Sequence, residues 1–108
     1  MTKRVDVLLS KRAQEIHSSI RDPTILRGIE QKIIRVQTDI HFGNPIAKRR
    51  FPERYVKRYG ITNLFRIELP RFWRMLYTLT DDDGIILVFI IDILDHKRYD
   101  KVFGYRTI

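Results

Sequence analysis

The feature that most constrains the fold is a change in hydrophobic period at about residue 63, from helical spacing to alternation. Two short segments then alternate, with apolar side chains at Phe65, Ile67 and Leu69 and at Trp73, Met75, Tyr77 and Leu79. A third segment, Ile85–Leu94, is almost continuously apolar. Because successive side chains on a strand point to opposite faces, the first two segments predict half-buried strands and the third predicts a central strand. The cluster at residues 81–84 predicts a hairpin turn between the last two.

The first half of the chain reads as one strand followed by two helices. Alternation at Val5, Val7 and Leu9 predicts the strand. Ser10 then precedes a segment with apolar residues at helical spacing, Ala13, Ile16 and Ile20, and is predicted to cap the first helix. Asp22 and Pro23 predict a stop and a restart, because proline suits the first turn of a helix. The second helix is predicted over residues 24–41, with an apolar stripe at Ile29, Ile33, Val36 and Ile40, and is ended by Gly43 and Pro45.

Residues 44–62 lose this periodicity and are predicted to form a long ordered loop, either without helix or with one helical turn after Pro52. A short helix is predicted after Asp95, which is a plausible cap. The predicted order is therefore β-α-α-β-β-β, an α+β fold with two N-terminal helices on one face of an antiparallel sheet. The other face is expected to be open to solvent or a ligand. A length of 108 residues suits a single domain over 1–108.

Positive charge is concentrated in the middle of the chain. Residues 45–74 hold nine basic and two acidic side chains, which accounts for +7 of the net charge of +8. Such a field attracts polyanions, although a solvated basic loop is the alternative. The candidate phosphate contacts are Lys48, Arg49, Arg50, Arg54, Lys57 and Arg58. The interleaved Phe51, Tyr55 and Tyr59 are expected either to anchor the loop to the core or, for the two tyrosines, to stack on unpaired bases.

Residue usage indicates a cytoplasmic protein without a metal or cofactor. There is no cysteine, which excludes disulfides and thiolate ligands, and the three histidines are scattered. The most apolar stretch is about ten residues long and contains Asp92, too short for a membrane span. The N-terminus lacks the apolar run of a secretory signal.

The two alternating strands place three charged side chains together. Their apolar rows share one side of the sheet only if the connecting loop has an odd number of residues, most simply Pro70, Arg71 and Phe72. Arg66, Glu68 and Arg74 then converge on the opposite face. Cleavage of RNA through its own 2′-hydroxyl needs a base and cations around the phosphorane, and this trio offers Glu68 as base and two arginines as cations. The alternative is a cross-strand ion-pair network on a wet sheet face.

Further candidates follow the last strand directly. His96 is of the residue type most suited to proton transfer near neutral pH, Lys97 adds a cation, and Tyr99 is an aromatic able to stack on a base. A lone histidine among charges is, alternatively, ordinary surface composition. These three residues complete the predicted catalytic set.

Two segments carry a family resemblance: NLFRIELPRFWRMLYTL at 63–79 and VFIIDILDHKRYDKVFGY at 88–105. With the strand, two helices and NP segment before them, they resemble the RelE/ParE superfamily of toxin–antitoxin systems. The resemblance implies an α+β fold and, for RelE-like members, cleavage of messenger RNA in the ribosomal decoding site. ParE-like members instead inhibit DNA gyrase. The resemblance also implies an antitoxin protein partner, expected to offer acidic and amphipathic segments.

Carried over by position, Arg66 falls where RelE has a catalytic lysine and Arg74 falls on an arginine that stabilises the transition state. Glu68 falls where RelE has a second lysine, which is a departure from the RelE pattern, although the YoeB branch uses a glutamate with Arg, His and a C-terminal Tyr. His96 and Lys97 lie near the last catalytic basic residue, and Tyr99 and Tyr105 compete for the tyrosine role. The resemblance thus implies an mRNA interferase toxin. The alternatives are a binding module without nuclease activity and a structural protein held by its neighbour.

Overall fold

The computed structural model describes residues 4–104 of the chain. Its strands are β1 (Arg4–Leu9), β2 (Asn44–Pro45), β3 (Phe65–Glu68), β4 (Arg74–Asp82) and β5 (Ile85–Leu94). Its α-helices are α1 (Lys11–Ser19), α2 (Pro23–Thr38), α3 (Glu53–Tyr59) and α4 (His96–Phe103). Short 3-10 turns lie at Lys48–Arg50 and Pro70–Phe72.

The five strands form one mixed sheet in the order β1-β5-β4-β3-β2. The strands β2 to β5 pair antiparallel, whereas β1 pairs parallel with β5. The prediction of an antiparallel sheet is therefore wrong at β1. Alternation along a strand fixes which side chains share a face, but it does not identify the neighbouring strand. Strand β1 is separated from β5 by most of the chain, and a connection of that length permits either direction.

The first face of the sheet is covered by α1 and α2, as predicted. The hydroxyl of Ser10 accepts a hydrogen bond from Ala13 N (3.0 Å), and the carboxylate of Asp22 accepts one from Thr24 N (2.9 Å). Both caps satisfy N–H groups that a helix start leaves unpaired. The helices bury an apolar core against the sheet that includes Ala13, Ile16, Ile20, Ile25, Ile29, Val36, Phe65, Ile67, Met75, Tyr77, Val88, Ile90 and Ile93.

The second helix ends at Thr38, three residues earlier than predicted. The backbone at Asp39 leaves the helical region, with φ at −141°. The carbonyl of Ile40 instead accepts a hydrogen bond from the Tyr77 hydroxyl (2.8 Å), which also accepts one from Gly43 N (2.9 Å). A side chain of the sheet thus satisfies the loop that follows the helix, and no local sequence signal marks this long-range contact.

The second face of the sheet is less open than predicted, because α3 and α4 pack on it. They bury a second cluster of Tyr55, Ile61, Leu64, Leu76, Ile91, Leu94 and Tyr99. Residues 53–59 form two helical turns rather than a loop with one turn; their many charges hide the single apolar repeat, Tyr55 and Tyr59, which lie one turn apart. The helix predicted after Asp95 is confirmed as α4, and the Asp95 carboxylate accepts a hydrogen bond from Arg98 N (2.8 Å).

A β-bulge shifts the alternation along β5, so that Ile90 and Ile93, three residues apart, pack in the same cluster. Leu76 pairs with Asp92 but Tyr77 pairs with Ile90, so Ile91 is an extra residue on β5. Ile91 belongs to the second cluster, while Ile90 and Ile93 belong to the first. The predicted hairpin turn between β4 and β5 is confirmed at Asp83 and Gly84, both at positive φ.

Helix α2 also contacts the β3–β4 connection very closely. A Cβ atom built on Gly28 would lie 2.8 Å from Cγ of Pro70, closer than real side chains approach. Glycine is therefore required at residue 28 by packing, not by its own backbone conformation. None of the helices within residues 4–104 is long and apolar enough to cross a membrane.

Candidate functional site

The β3–β4 hairpin has the predicted register. Glu68 pairs with Arg74 and Arg66 pairs with Leu76, across a connection of three residues at Pro70–Phe72. Arg66, Glu68 and Arg74 therefore project to the same side, opposite the core-facing Ile67 and Met75. The parity argument from the sequence is confirmed, and these three residues are named the Arg-Glu-Arg cluster below.

Glu68 lies between the two arginines. Its Oε1 is 2.9 Å from Arg66 Nε and its Oε2 is 3.3 Å from Arg74 Nε. Neither Nε–H group is aligned for a hydrogen bond to any described group. The contacts are therefore ion pairs by distance, and because the Glu68 side chain is 51% exposed they stabilise the fold only slightly. A better-aligned anion can displace the carboxylate at small cost.

Helix α4 contacts both arginines of the Arg-Glu-Arg cluster through Tyr99, which is only 3% exposed. Arg66 Nη1 donates a hydrogen bond to the Tyr99 hydroxyl (3.0 Å), and this bond raises the pKa of Arg66. The Arg74 guanidinium lies 5.0 Å from the centre of the Tyr99 ring. The aromatic face that the sequence offered for base stacking is thus occupied by the protein's own cations. Tyr99 acts here on the orientation of Arg66 and Arg74.

His96 and Lys97 lie in the first turn of α4, and both are exposed. His96 Nε2 is 3.3 Å from an Asp100 carboxylate oxygen, and its ring lies edge-on to Phe72 with centroids 6.3 Å apart. The contact with Phe72 brings the histidine to the turn that follows Glu68. Tyr105, the competing tyrosine, lies outside the described residues.

Phe72 is a site residue that the sequence reasoning missed. It is 73% exposed and its φ is +63°, next to Arg71 at +59°. Arg71 Nε pairs with Asp22 (2.6 Å), and the carbonyl of Phe72 accepts a hydrogen bond from Arg74 Nη1. The backbone hydrogen bond from Thr24 is the main cause that lowers the pKa of Asp22, so this carboxylate stays charged toward Arg71. Positive φ at two non-glycine residues has no sequence signature. From the sequence, Phe72 could therefore be identified only as a residue of the connecting loop.

A cavity of about 210 Å³ opens beside the cluster at the β2–β3 edge of the sheet. Arg66 and Glu68 line it together with Lys32 and the loop residues 42–44. Lys32 adds a third cation, and its ammonium lies 5.1 Å from the centre of the Phe42 ring. An anion can therefore reach Arg66 and Glu68 through this cavity, from the edge of the sheet.

The six predicted phosphate contacts are all exposed. Lys48, Arg49 and Arg50 lie on the 3-10 turn, and Arg54, Lys57 and Arg58 lie on α3. The aromatic residues between them face inward, because Tyr55 is 3% exposed and the ring of Tyr59 lies edge-on to Phe89 with centroids 5.4 Å apart. The interpretation of these tyrosines as anchors is confirmed, although Tyr59 is only half-buried. Arg54, Lys57 and Arg58 therefore project from a helix that is fixed to the sheet.

A buried carboxylate ties α3 and α1 to β5. Asp92 is fully buried and accepts a hydrogen bond from the Tyr55 hydroxyl (2.7 Å), while Arg12 Nε lies 3.5 Å away. Burial first, and then the charge of Asp92, raise the pKa of Tyr55. Burial likewise raises the pKa of Tyr77. Both phenols are therefore held neutral by the folded state.

Alkaline pH should reveal these two tyrosines. An unfolded tyrosine ionises near pH 10, so above about pH 10 the unfolded chain binds fewer protons than the folded one, and the free energy of unfolding falls as pH rises. Of the five tyrosines, Tyr55 and Tyr77 should show tyrosinate absorbance only well above pH 10 or on unfolding. Tyr55→Phe should remove one late-titrating group, and a folded protein whose tyrosines all ionise together near pH 10 would contradict this.

Comparison of the chain with protein-family models, with curated proteins and with solved structures found no match in any of the three. Function is therefore argued from the arrangement of side chains alone. In the part of the chain that the structure describes, no three His, Asp or Glu side chains gather as metal ligands. The groups present at the cluster are guanidinium, carboxylate, imidazole and phenol.

Proposed function

We propose that the chain is an mRNA interferase of the RelE/ParE toxin type, which cleaves messenger RNA at the ribosome. The observation that carries the proposal is the convergence of Arg66 and Arg74 on Glu68, on a partly exposed sheet face beside a cavity. Two guanidinium groups that share one carboxylate are placed to share one phosphate instead. Cytoplasmic location and an acidic, amphipathic antitoxin partner belong to the same proposal.

Each member of the cluster has a role in the proposed reaction. A phosphate that enters between Arg66 and Arg74 displaces Glu68 from them, and the freed carboxylate takes the proton of the adjacent 2′-hydroxyl. The 2′-oxygen forms a bond to phosphorus and the bond to the 5′-oxygen breaks. The arginines stabilise the phosphorane charge, and protonated His96 gives its proton to the leaving oxygen. The products are a 2′,3′-cyclic phosphate and a 5′-hydroxyl end.

Phe72 supplies a platform for a base next to this phosphate. An exposed aromatic ring held at positive φ costs the fold stability, and such local strain is typical of functional positions. Its ring lies beside His96 and its carbonyl receives Arg74, so a base stacked on it sits at the cluster.

Phe72→Gly should separate stability from activity. Glycine adopts positive φ freely, so the substitution relieves about 1–2 kcal/mol of backbone strain. Ordering a glycine on folding costs about 0.5–1 kcal/mol more in conformational entropy, so the free energy of unfolding should rise by roughly 0.5–1 kcal/mol. Loss of base stacking should lower cleavage about tenfold or more. Phe72→Ala is the matched control, since it loses the ring but keeps the strain. A glycine variant that cleaves at the wild-type rate would show that Phe72 does not contact substrate.

The proposal is tested by incubating purified protein with translating ribosomes and a defined mRNA. Cleavage within the message, with 2′,3′-cyclic phosphate ends, is the expected result. Message that stays intact in the presence of folded protein would refute the nuclease activity. Antitoxin binding is tested separately, by co-purification with the product of a neighbouring short acidic open reading frame.

One observation favours a second candidate, a binding module without nuclease activity, either a gyrase inhibitor or a relative that only binds RNA or a partner. Both arginines already lie against the Glu68 carboxylate, and Glu68 falls where RelE has a lysine. Two arginines paired with one carboxylate are also the arrangement of a structural ion-pair network. Gyrase arrest in a supercoiling assay, or toxicity that survives loss of Arg66 and Arg74, would support this candidate over the nuclease.

A further inference from the structure

A second concentration of cations lies away from the Arg-Glu-Arg cluster, where two cavities adjoin. One cavity of about 440 Å³ and one of about 230 Å³ share Arg12 and Arg54 in their walls. The first also contains Lys57 and Arg58, and the second contains Arg98 and Lys101. Three elements distant in sequence, α1, α3 and α4, thus form one basic groove, defined by Arg12, Arg54, Lys57, Arg58, Arg98 and Lys101.

The basic groove and the Arg-Glu-Arg cluster both adjoin helix α4. Tyr99 of α4 contacts Arg66 and Arg74, whereas Arg98 and Lys101, three residues apart on the helix, line the groove. Leu94 and Val102 complete the wall on this side. Helix α4 therefore contributes side chains to both cationic sites.

Most of the positive charge in the groove is not neutralised by the protein. Lys57 pairs with Glu53 (3.0 Å), and Arg12 lies 3.5 Å from the buried Asp92. Within residues 4–104, the other four cations form no ion pair with an Asp or Glu side chain: Arg54, Arg58, Arg98 and Lys101. Four like charges held around connected cavities repel one another, so the fold does not gain from this arrangement without an anion.

We propose that the basic groove binds the phosphate backbone of single-stranded RNA, as a second site that gives affinity without chemistry. The identification of RNA rests on the proposed function. Arginine forks match phosphate oxygens, and the ring of Tyr59 lies in the wall of the larger cavity, where a base can contact it. A purely acidic polypeptide such as polyglutamate offers carboxylates to the same cations but no planar base to stack on the Tyr59 ring.

The test measures binding of a fluorescent twelve-nucleotide oligouridine by anisotropy at several salt concentrations. Arg54→Gln combined with Arg98→Gln removes one cation from α3 and one from α4, both exposed, so folding should be unaffected. Affinity should fall about tenfold or more, and the slope of log affinity against log salt should decrease by about 1.4, which corresponds to two phosphate contacts on a single strand. Arg21→Gln combined with Arg27→Gln is the matched control, because it removes the same charge beside and on α2, on the other side of the sheet.

Three outcomes would overturn the proposal that the groove binds RNA. The first is no binding of oligouridine by the wild-type protein, and the second is an equal loss of affinity in the two double variants. The third is polyglutamate binding as tight as that of RNA and weakened by the same factor in the Arg54→Gln, Arg98→Gln variant. The last would assign the groove to an acidic polypeptide. Cleavage on ribosomes is scored in parallel. Cleavage without oligouridine binding would reject the groove as an RNA site and leave the proposed nuclease activity standing. Binding that depends on the groove, without cleavage, would support the groove as an RNA site and reject the nuclease activity.

Discussion

Arg74→Ala should lower the rate of mRNA cleavage on translating ribosomes about 100- to 1,000-fold, as expected when a preorganised transition-state donor is removed. The Arg74 side chain is only 17% exposed, and it is fixed by three contacts: Glu68, the Phe72 carbonyl and the face of Tyr99. A cation held in this way needs no reorganisation when charge develops on the phosphorane. The measurement is single-turnover cleavage at saturating protein.

Two further variants show whether the loss at position 74 comes from chemistry. Arg74→Lys keeps the charge but lacks the planar fork, so it should recover only part of the rate. Arg27→Ala, at an exposed position of α2, should cleave like the wild type. Circular dichroism establishes that each variant is folded. Wild-type cleavage by Arg74→Ala would leave the Arg-Glu-Arg cluster as a structural ion-pair network.

Removal of the Tyr77 hydroxyl should have the largest effect on stability. In Tyr77→Phe, the Ile40 carbonyl loses its donor and the Gly43 N–H loses its acceptor. The Gly43 N–H is buried and the Ile40 carbonyl is partly buried. An unsatisfied buried group costs about 1–3 kcal/mol and a partly buried one about 1 kcal/mol, so the free energy of unfolding should fall by about 2–4 kcal/mol and the Tm by roughly 10–20 °C. Thermal and urea unfolding measure both quantities.

Tyr59→Phe is the matched control for Tyr77→Phe. It removes the same atom from a half-buried ring whose contacts, with Phe89 and Arg58, are through the ring face and edge. Its stability should stay within about 0.5 kcal/mol of the wild type. If Tyr77→Phe is equally mild, the hydroxyl does not organise the loop after α2. Gly43 also lines the cavity beside Arg66, so a loosened loop should reduce cleavage as well.

Local rules predicted the parts of the fold that local chemistry decides. Ser10 and Asp95 were identified as caps from residue type and position, and each side chain accepts the expected hydrogen bond. Asp22 and Pro23 were identified as a stop and a restart, and helix α2 begins there with the Asp22 side chain as its cap. The common face of Arg66, Glu68 and Arg74 followed from a period of two and a three-residue loop. Neither inference needs knowledge of what lies elsewhere in the chain.

The remaining features depend on contacts between distant segments. Nothing in β1 specifies β5 as its parallel neighbour, and α3 is hidden among charges because only its two tyrosines face the sheet. The role of Tyr99 requires knowing that α4 folds back over β3 and β4. The basic groove combines residues of three elements, two of which lie outside the most basic segment of the sequence.

The contact between Gly28 and Pro70 has a consequence for the hairpin. The turn that positions Phe72 and Arg74 rests against a helix on the far side of the sheet, with no space for even a methyl group between them. Any substitution at residue 28 must therefore push that turn outward and tilt both residues together. A substitution at Gly28, which has no side chain in the site, can in this way inactivate the Arg-Glu-Arg cluster while every one of its members remains intact.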